Sequence, residues 1–219
     1  MFGFFKRQIH ESVERQRHDL DGYPVGFREE FLGGEDCDVI AGATGVFGKC
    51  ATNPIPVNGL IGTFKYLGKL RASHGVALYF HRVSSVVSPL AKHAVDVYET
   101  VTLDAQVWDV CFLHMYHPRR SNLAPAGYSL IACDKQIGDI PFAYGVNTQL
   151  HDFPHDLPEA LAPMSEAFAR RTRERLAQAD FRRPQSHLDR LRNMNVSPLA
   201  ITVRDLKSGT VLFLNPHKR

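Results

Sequence analysis

The amino-acid sequence predicts an α+β fold, with an antiparallel or mixed β-sheet and flanking helices in a single domain spanning residues 1–219. Three observations predict this class. Two pairs of β-rich segments are joined by tight turns, near 95–116 and 199–214. Three longer segments, near 2–18, 59–72 and 157–180, repeat apolar residues at helical spacing. The strands are joined mostly by turns and not by regular helical crossovers, which favours such a sheet with helices on one face.

The helices are predicted from apolar residues at three- and four-residue spacing, at 2–18, 59–72, 157–180 and, as a short element, 186–193. The first helix either packs on its own domain or docks elsewhere as a peripheral element. Asn58 is placed to cap the second helix, and Gly75 supplies its stop. Asp156 starts the third helix, where Pro163 allows an early break with Ser165 as a second cap.

The strands are predicted from short apolar or β-branched runs between turn residues, at 39–40, 55–57, 76–81, 127–133 and 140–146. The clearest β element is the hairpin at 95–116, whose two runs meet at Asp104–Ala105. Alternation in this hairpin predicts that Trp108 is substantially buried. A second hairpin closes the chain and turns at 207–209.

The composition is that of a soluble globular protein. Apolar residues make up 44% of the chain and charged residues 22%, so long disordered segments are not expected. No stretch approaches the roughly 20 apolar residues of a membrane-spanning helix, and we predict no membrane span. The formal net charge of +3 is too weak to indicate a dedicated nucleic-acid-binding protein.

Two features indicate a cytoplasmic location. Lys6 and Arg7 follow the first phenylalanines instead of preceding a long apolar run, which is not the order of a secretory signal. The cysteines lie far apart and form no CxxC pair, at Cys37, Cys50, Cys111 and Cys133. In the cytoplasm such cysteines are reduced thiols, and we expect Cys111 and Cys133 in buried strands.

A glycine-rich segment, GATGVFG at 42–48, follows a short apolar run. It resembles the phosphate-binding turn GATGxxG of NAD(P)-dependent short-chain dehydrogenases, in which the pyrophosphate lies on backbone N–H groups at a helix N-terminus. The resemblance ends there. Pro54 and Pro56 exclude a helix after the turn, and the rest of the chain has no YxxxK catalytic pair. We therefore predict a loop with positive φ at its glycines and no dinucleotide cofactor.

The segment HMYHPRRS, 114–121, enters a proline-containing loop at the end of a predicted strand. Alternation places His114 on the core face of the strand, as a satisfied buried histidine. His117, Arg119, Arg120 and Ser121 lie beyond the strand, where adjacent arginines beside a hydroxyl are suited to grip phosphate or carboxylate. These four residues are the predicted anion-binding site. In the alternative interpretation, the arginines tie down loop carbonyls or pair with carboxylates such as Glu99 and Asp109.

Two further patterns concern a metal site and a nucleic-acid site. The segment HDFPH carries His151, Asp152 and His155, but Pro154 prevents the helical spacing of zinc-binding HExxH motifs, and we predict no metal. The second pattern is a run of arginines on and after the long predicted helix, which could attract the phosphates of a nucleic acid: Arg170, Arg171, Arg173, Arg175, Arg182, Arg183, Arg190 and Arg192. Without interleaved aromatic residues, this run predicts a solvated helix face or a site for an acidic partner.

Three functional hypotheses follow from the sequence. The first is a non-catalytic cytoplasmic binding protein that recognises a protein partner or an anionic small molecule. The second is an enzyme acting on an anionic substrate, using His117, Arg119 and Arg120 with His81 as a possible acid or base. The third is a nucleic-acid accessory protein that uses the arginine-rich helix. We favour the first, and the sequence leaves the oligomeric state open.

Overall fold

A computed structural model describes residues 37–131 and 144–194. Within these ranges the strands are β1 (Ile55–Pro56), β2 (Leu70–Ala72), β3 (Leu78–Val86), β4 (Val95–Thr102), β5 (Trp108–His114), β6 (Tyr128–Leu130) and β7 (Gly145–Val146). The helices are α1 (Gly59–Lys69), α2 (Leu157–Leu161), α3 (Glu166–Leu176) and α4 (Gln185–Asn193). The predicted helix at 2–18 and the predicted hairpin at 199–214 lie outside the described residues.

The main sheet has five strands in the order β1-β5-β4-β3-β7. The two central pairings, β3 with β4 and β4 with β5, are antiparallel, whereas the outer strands β1 and β7 are parallel to their neighbours. Strands β2 and β6 form a separate two-stranded antiparallel sheet. The sheet is thus mixed, which confirms the predicted α+β class.

The predicted hairpin at 95–116 is present as β4 and β5, with Thr100 paired to Asp109 and Val101 to Trp108. Its turn contains Ala105, which adopts a left-handed φ of 62°. The Thr102 hydroxyl stabilises this turn by accepting the N–H groups of the two residues that follow Ala105. Trp108 is half-buried and its indole nitrogen is enclosed, as the alternation predicted.

The predicted third helix is divided as Pro163 allowed. Helix α2 ends at Leu161, and α3 begins after Ser165, whose hydroxyl accepts the Phe168 N–H at 3.4 Å. Asn58 occupies the N-cap position of α1 as predicted, but its side chain makes no capping hydrogen bond and its backbone is left-handed, with φ 51°. A residue that caps with its side chain has extended backbone.

Helices cover both faces of the main sheet, so the prediction of helices on one face is wrong. Tyr98 packs in one core cluster with Phe64 of α1. On the opposite face, Val97 packs with Leu191 of α4, and another cluster joins Val101 to α2. All eight residues of β4 are consequently buried, including its polar ones. A charged side chain on this strand therefore needs partners inside the protein.

No helix in the described part of the chain is long and apolar enough to cross a membrane.

Candidate functional site

The segment that follows β5 is fixed against the connection between β1 and α1. Three backbone hydrogen bonds join them: Val57 N–H to the His114 carbonyl (3.4 Å), Gly59 N–H to the Met115 carbonyl (2.6 Å) and Ser121 N–H to the Pro56 carbonyl (2.8 Å). Arg120 also forms an isolated antiparallel bridge with Val57. We call residues 115–121 the junction loop. Because these hydrogen bonds hold the backbone at both ends, they fix the positions from which the side chains of the loop extend.

The four residues of the predicted anion site divide into two groups. The side chains of Arg119 and Arg120 are exposed, and His117 is half-buried beside them, with its Nδ1 accepting the Arg119 N–H at 3.0 Å. Ser121 is buried, and its hydroxyl donates to the Asp38 carbonyl and accepts the Leu123 N–H, both at 3.0 Å. The structure thus places the two arginines and His117 on one short loop, while the hydroxyl of Ser121 holds that loop in place.

His114 is buried as predicted, at 6% exposure, but the expectation that it is fully hydrogen-bonded is wrong. Its Nδ1 has no hydrogen-bond partner among the described residues. Burial, together with the neighbouring His117 and His93, lowers the pKa of His114 to about 4. The ring of His117 lies 5.6 Å from it in an edge-to-face arrangement. His114 is therefore neutral at physiological pH, directly beneath the junction loop.

A second group of polar residues, which the sequence analysis did not assemble, surrounds Glu99 of β4. The Glu99 carboxylate is fully buried and accepts from Arg183 Nε at 2.7 Å and Arg183 Nη2 at 3.1 Å. His187 Nε2 lies 2.9 Å away and His81 Nε2 2.8 Å away. The Leu150 N–H donates to His81 Nδ1, which leaves Nε2 of a neutral His81 as the proton donor to Glu99. We call these four side chains the Glu99 cluster.

The charges of the Glu99 cluster balance within the protein. Burial alone would raise the pKa of Glu99, but the Arg183 cation and the hydrogen bonds from His187 and His81 hold that pKa well below its usual value. Burial lowers the pKa of His81, against the opposing effect of Glu99. The cluster is therefore one buried carboxylate paired with one buried guanidinium, with a neutral His81 completing its hydrogen bonds.

Aromatic rings enclose the Glu99 cluster. The Arg183 guanidinium lies 5.5 Å from the centre of the Trp108 ring. The centre of the His187 ring lies 5.6 Å from the centre of the same Trp108 ring. Phe153 stacks on His81 with ring centres 4.3 Å apart and meets Trp108 edge-on. These contacts exclude water from the cluster and strengthen its hydrogen bonds.

Asp109 of β5 organises a third polar group nearer the surface. Its carboxylate pairs with Lys49 and with Arg190 of α4, the latter at 2.6 Å, and accepts the Tyr128 hydroxyl at 2.8 Å. Burial would raise the pKa of Asp109, but the Lys49 cation and the hydrogen bonds to the carboxylate lower it. The Lys49 ammonium also lies 4.5 Å from the Tyr128 ring centre. Asp109 thus ties α4 and Lys49, the residue that follows the glycine-rich segment, to β5.

The Glu99 and Asp109 networks occupy three side chains that the sequence offered for the predicted anion site. Both ring nitrogens of His81, the possible acid or base, are occupied inside the protein, Nε2 by Glu99 and Nδ1 by the Leu150 N–H. Glu99 and Asp109, the carboxylates named as possible partners of Arg119 and Arg120, pair with Arg183 and Arg190. The junction loop and the two carboxylate networks are therefore separate features of the molecule.

The glycine-rich segment 42–48 is a loop, as predicted. Its three glycines all have positive φ, at 81°, 89° and 71° for Gly42, Gly45 and Gly48. No helix follows it before α1, and the N–H of Gly48 donates to the Asn53 carbonyl at 2.7 Å. The loop is closed on itself and on β5, where the Phe112 N–H donates to the Gly48 carbonyl.

The segment 151–155 leads into α2. The Asp156 carboxylate accepts the N–H groups of His151 and Asp152, at 2.8 and 2.9 Å. In the described ranges, no group of three histidine, cysteine, aspartate or glutamate side chains is placed to hold a metal ion.

The arginine run does not form a single solvated face. Arg183 is buried against Glu99, and Arg190 reaches Asp109. Arg170 and Arg173 of α3 are exposed and pair with neighbouring glutamates, Arg173 with Glu166 at 2.8 Å. The prediction of a solvated face is therefore wrong for Arg183, because the sequence did not reveal the inward-pointing carboxylate of β4.

Comparisons of the chain with protein-family models, with curated proteins and with solved structures find no match.

Proposed function

We propose that this chain is a non-catalytic binding protein whose junction loop recognises an anionic group on a protein partner or a small molecule. The observation that carries the proposal is the pair of exposed arginines, Arg119 and Arg120, on a backbone that is hydrogen-bonded at both ends to the β1–α1 connection. A guanidinium offers forked donors that match carboxylate and phosphate oxygens.

The support of the junction loop favours binding. Pro118 restricts one backbone angle between His117 and Arg119, and the hydroxyl of Ser121 fixes the end of the loop. A loop that is already ordered loses less conformational freedom when it meets a ligand. His117 stands beside the arginines as a further polar group.

The arrangement of the acidic and histidine side chains favours binding over catalysis. General acids and bases need a proton-accepting atom within reach of the ligand. The Glu99 carboxylate and both nitrogens of His81 are used inside the protein, and His114 lies buried beneath the loop. The guanidiniums of Arg119 and Arg120 on the loop itself are suited to bind a negatively charged group.

Thermal unfolding at constant ionic strength tests the proposal. Wild-type protein is heated with phosphate, citrate or nucleotides, and with sodium chloride as the ionic-strength control. We expect stabilisation by at least one of these anions, and we expect its loss in the double variant Arg119→Ala/Arg120→Ala. The melting temperature of this variant without anion should stay close to that of the wild type.

The matched control is Arg170→Ala/Arg171→Ala, which removes another adjacent pair of exposed arginines, on α3. Arg170 pairs with Glu174 only at 3.9 Å between exposed side chains, so its loss should cost little stability. This control should keep the anion effect. The proposal is wrong if no anion stabilises the wild type and the Arg119→Ala/Arg120→Ala variant melts several degrees lower, since the arginines then hold the fold together.

A further inference from the structure

The segment 37–42 lies between the junction loop and the loop that connects β3 with β4. At one end, the Cys37 N–H donates to the Arg120 carbonyl at 2.8 Å. At the other end, a Cβ on Gly42 would lie 3.7 Å from Leu90 Cδ2. The segment therefore bridges two loops at the end of the main sheet where β3 and β5 stop.

The two bridged loops also meet each other directly. The rings of His93 and Tyr116 lie with their centres 4.7 Å apart. Three segments in pairwise contact form one continuous surface, and exposed large apolar side chains lie along it, with Val87 the most open at 89% exposure. We call this surface the docking face, and its exposed apolar and cationic side chains are Val39, Val87, Tyr116, Leu123, Lys92, Arg119 and Arg120.

The docking face is positively charged as well as apolar. Its three segments carry one carboxylate against the three cations, that of Asp38, whose Oδ1 accepts the Asn122 N–H at 3.2 Å. Exposed apolar patches with a polar rim mark sites of contact with another segment or molecule. An occupant that matches this face has apolar side chains interspersed with carboxylates.

The sequence immediately before the docking face has this composition. Residues 27–36 read FREEFLGGED, with four carboxylates against one arginine and with three large apolar side chains, Phe27, Phe31 and Leu32. These residues lie outside the described part of the chain. The whole chain has a formal charge of +3, so the acidic stretch runs against its overall balance. We call residues 27–36 the acidic segment.

The acidic segment is tethered to the docking face by the chain itself. It ends at Cys37, which is hydrogen-bonded to the junction loop beside the exposed side chain of Arg120. A residue adds at most roughly 3.5 Å to the chain, so Glu30 lies within about 25 Å of Cys37. Gly33 and Gly34 stand between them and permit a reversal of the chain.

We propose that the acidic segment docks on the docking face of its own chain, with its carboxylates at Arg119 and Arg120, and competes there with the anionic ligand. The inference rests on the proposed function, because it names an internal competitor for the same arginines. A short tether gives an effective concentration on the order of millimolar. Exposed ion pairs and apolar contacts that are weak individually therefore suffice to hold the segment, and an external anion displaces it.

Tryptic cleavage after Arg28 in the full chain tests the docking without any ligand. Cleavage of a segment that opens and closes rapidly follows the population of its open form. Cleavage after Arg28 should be at least about twofold faster in Arg119→Ala/Arg120→Ala than in the wild type, and unchanged in the control Arg170→Ala/Arg171→Ala. Mass spectrometry separates this cleavage from that after Arg71 in β2, which should keep its wild-type rate if the fold is intact.

Titration with inorganic phosphate and with citrate, at constant ionic strength, tests the competition. Glu29→Gln/Glu30→Gln removes two carboxylates of the acidic segment and should bind the anion at least about twofold more tightly than the wild type. The matched control is Glu159→Gln/Glu174→Gln, which removes two exposed carboxylates on α2 and α3 and should bind the anion only as tightly as the wild type.

The outcomes separate the inference from the proposed function. Equal cleavage after Arg28 in the wild type and in Arg119→Ala/Arg120→Ala overturns the docking, and anion binding by the wild type then leaves the proposed function standing. Cleavage in the wild type that slows as the protein concentration rises assigns the docking to a second copy of the chain and also overturns the inference. Faster cleavage in Arg119→Ala/Arg120→Ala, with no anion bound by the wild type or by Glu29→Gln/Glu30→Gln, supports the docking and overturns the proposed function.

Discussion

Glu99→Gln tests whether the Glu99 cluster stabilises the fold. The substitution keeps the size of the side chain but removes its charge and replaces one acceptor oxygen with a donor group. The buried guanidinium of Arg183 then has no anion in the cluster, and the new amide faces the donors of Arg183, His187 or His81. Removing one partner of a buried ion pair costs roughly 3–5 kcal/mol.

For a chain of this size, such a loss corresponds to a fall of about 6–20 °C in melting temperature. Trp108 is the only tryptophan and lies 5.5 Å from the Arg183 guanidinium, so its fluorescence reports unfolding at this cluster. Urea titration followed by that fluorescence gives the free energy of unfolding. The control, Glu174→Gln, breaks an exposed pair on α3 and should change it by less than about 1 kcal/mol.

The refuting result is a free energy of unfolding for Glu99→Gln that matches the Glu174→Gln control. The sign of the pH dependence gives an independent check. Because the pKa of Glu99 is lowered by folding, its contribution is complete above the usual value of 4.5 and is lost as the pH falls through the folded-state pKa. As the pH falls through this range, the free energy of unfolding should therefore decrease less for Glu99→Gln than for the wild type.

Two further predictions concern stability. His114 has a folded-state pKa of about 4 against its usual 6.5, so its contribution is complete above pH 6.5 and falls as the pH drops towards 4. His114→Leu should flatten the dependence of unfolding free energy on pH in that window, and an unchanged profile would contradict the assignment. Gly48→Ala should cost more than Gly75→Ala in urea unfolding, because both have positive φ but a Cβ at Gly48 would lie 2.8 Å from Ile55 Cδ1, adding roughly 1–3 kcal/mol of overpacking. Equal losses of unfolding free energy in the two variants would contradict this, because they would show that the positive φ alone sets the cost.

The parts of the fold that the sequence predicted are local. The turn at Ala105 lies between two alternating runs, and Ser165 follows Pro163 closely enough to indicate where one helix stops and another begins. The parallel pairings of β1 and β7 were not predicted, because each strand is two residues long and joins a partner distant in the chain. Strands of that length carry no periodic pattern.

The Glu99 cluster could not be assembled from the sequence because two of its members are far from Glu99 along the chain. Arg183 and His187 lie 84 and 88 residues from Glu99 along the chain. One signal was available, since Glu99 alternates in phase with Val95, Val97 and Val101 and therefore had to point inward. A carboxylate on an apolar face predicts a buried cationic partner, although it does not identify which one.

In the candidate site, too, the local features were predicted from the sequence, whereas the contacts with distant residues were not. The sequence placed Arg119 and Arg120 in a loop after a strand, which follows from Pro118 and the end of the β-rich run. That this loop lies against the start of α1 follows from the parallel pairing of β1 with β5, which the sequence did not reveal. The inward direction of Ser121 depends on Asp38, more than 80 residues away.

Isothermal titration calorimetry with inorganic phosphate, at an ionic strength fixed with sodium chloride, tests the central claim most directly. The claim is that the junction loop binds an anionic group through Arg119 and Arg120. The wild type should give a saturable heat with one site per chain, which Arg119→Ala/Arg120→Ala loses and Arg170→Ala/Arg171→Ala retains. Equal saturable heats in all three proteins, or none in the wild type with phosphate or with citrate, would contradict it.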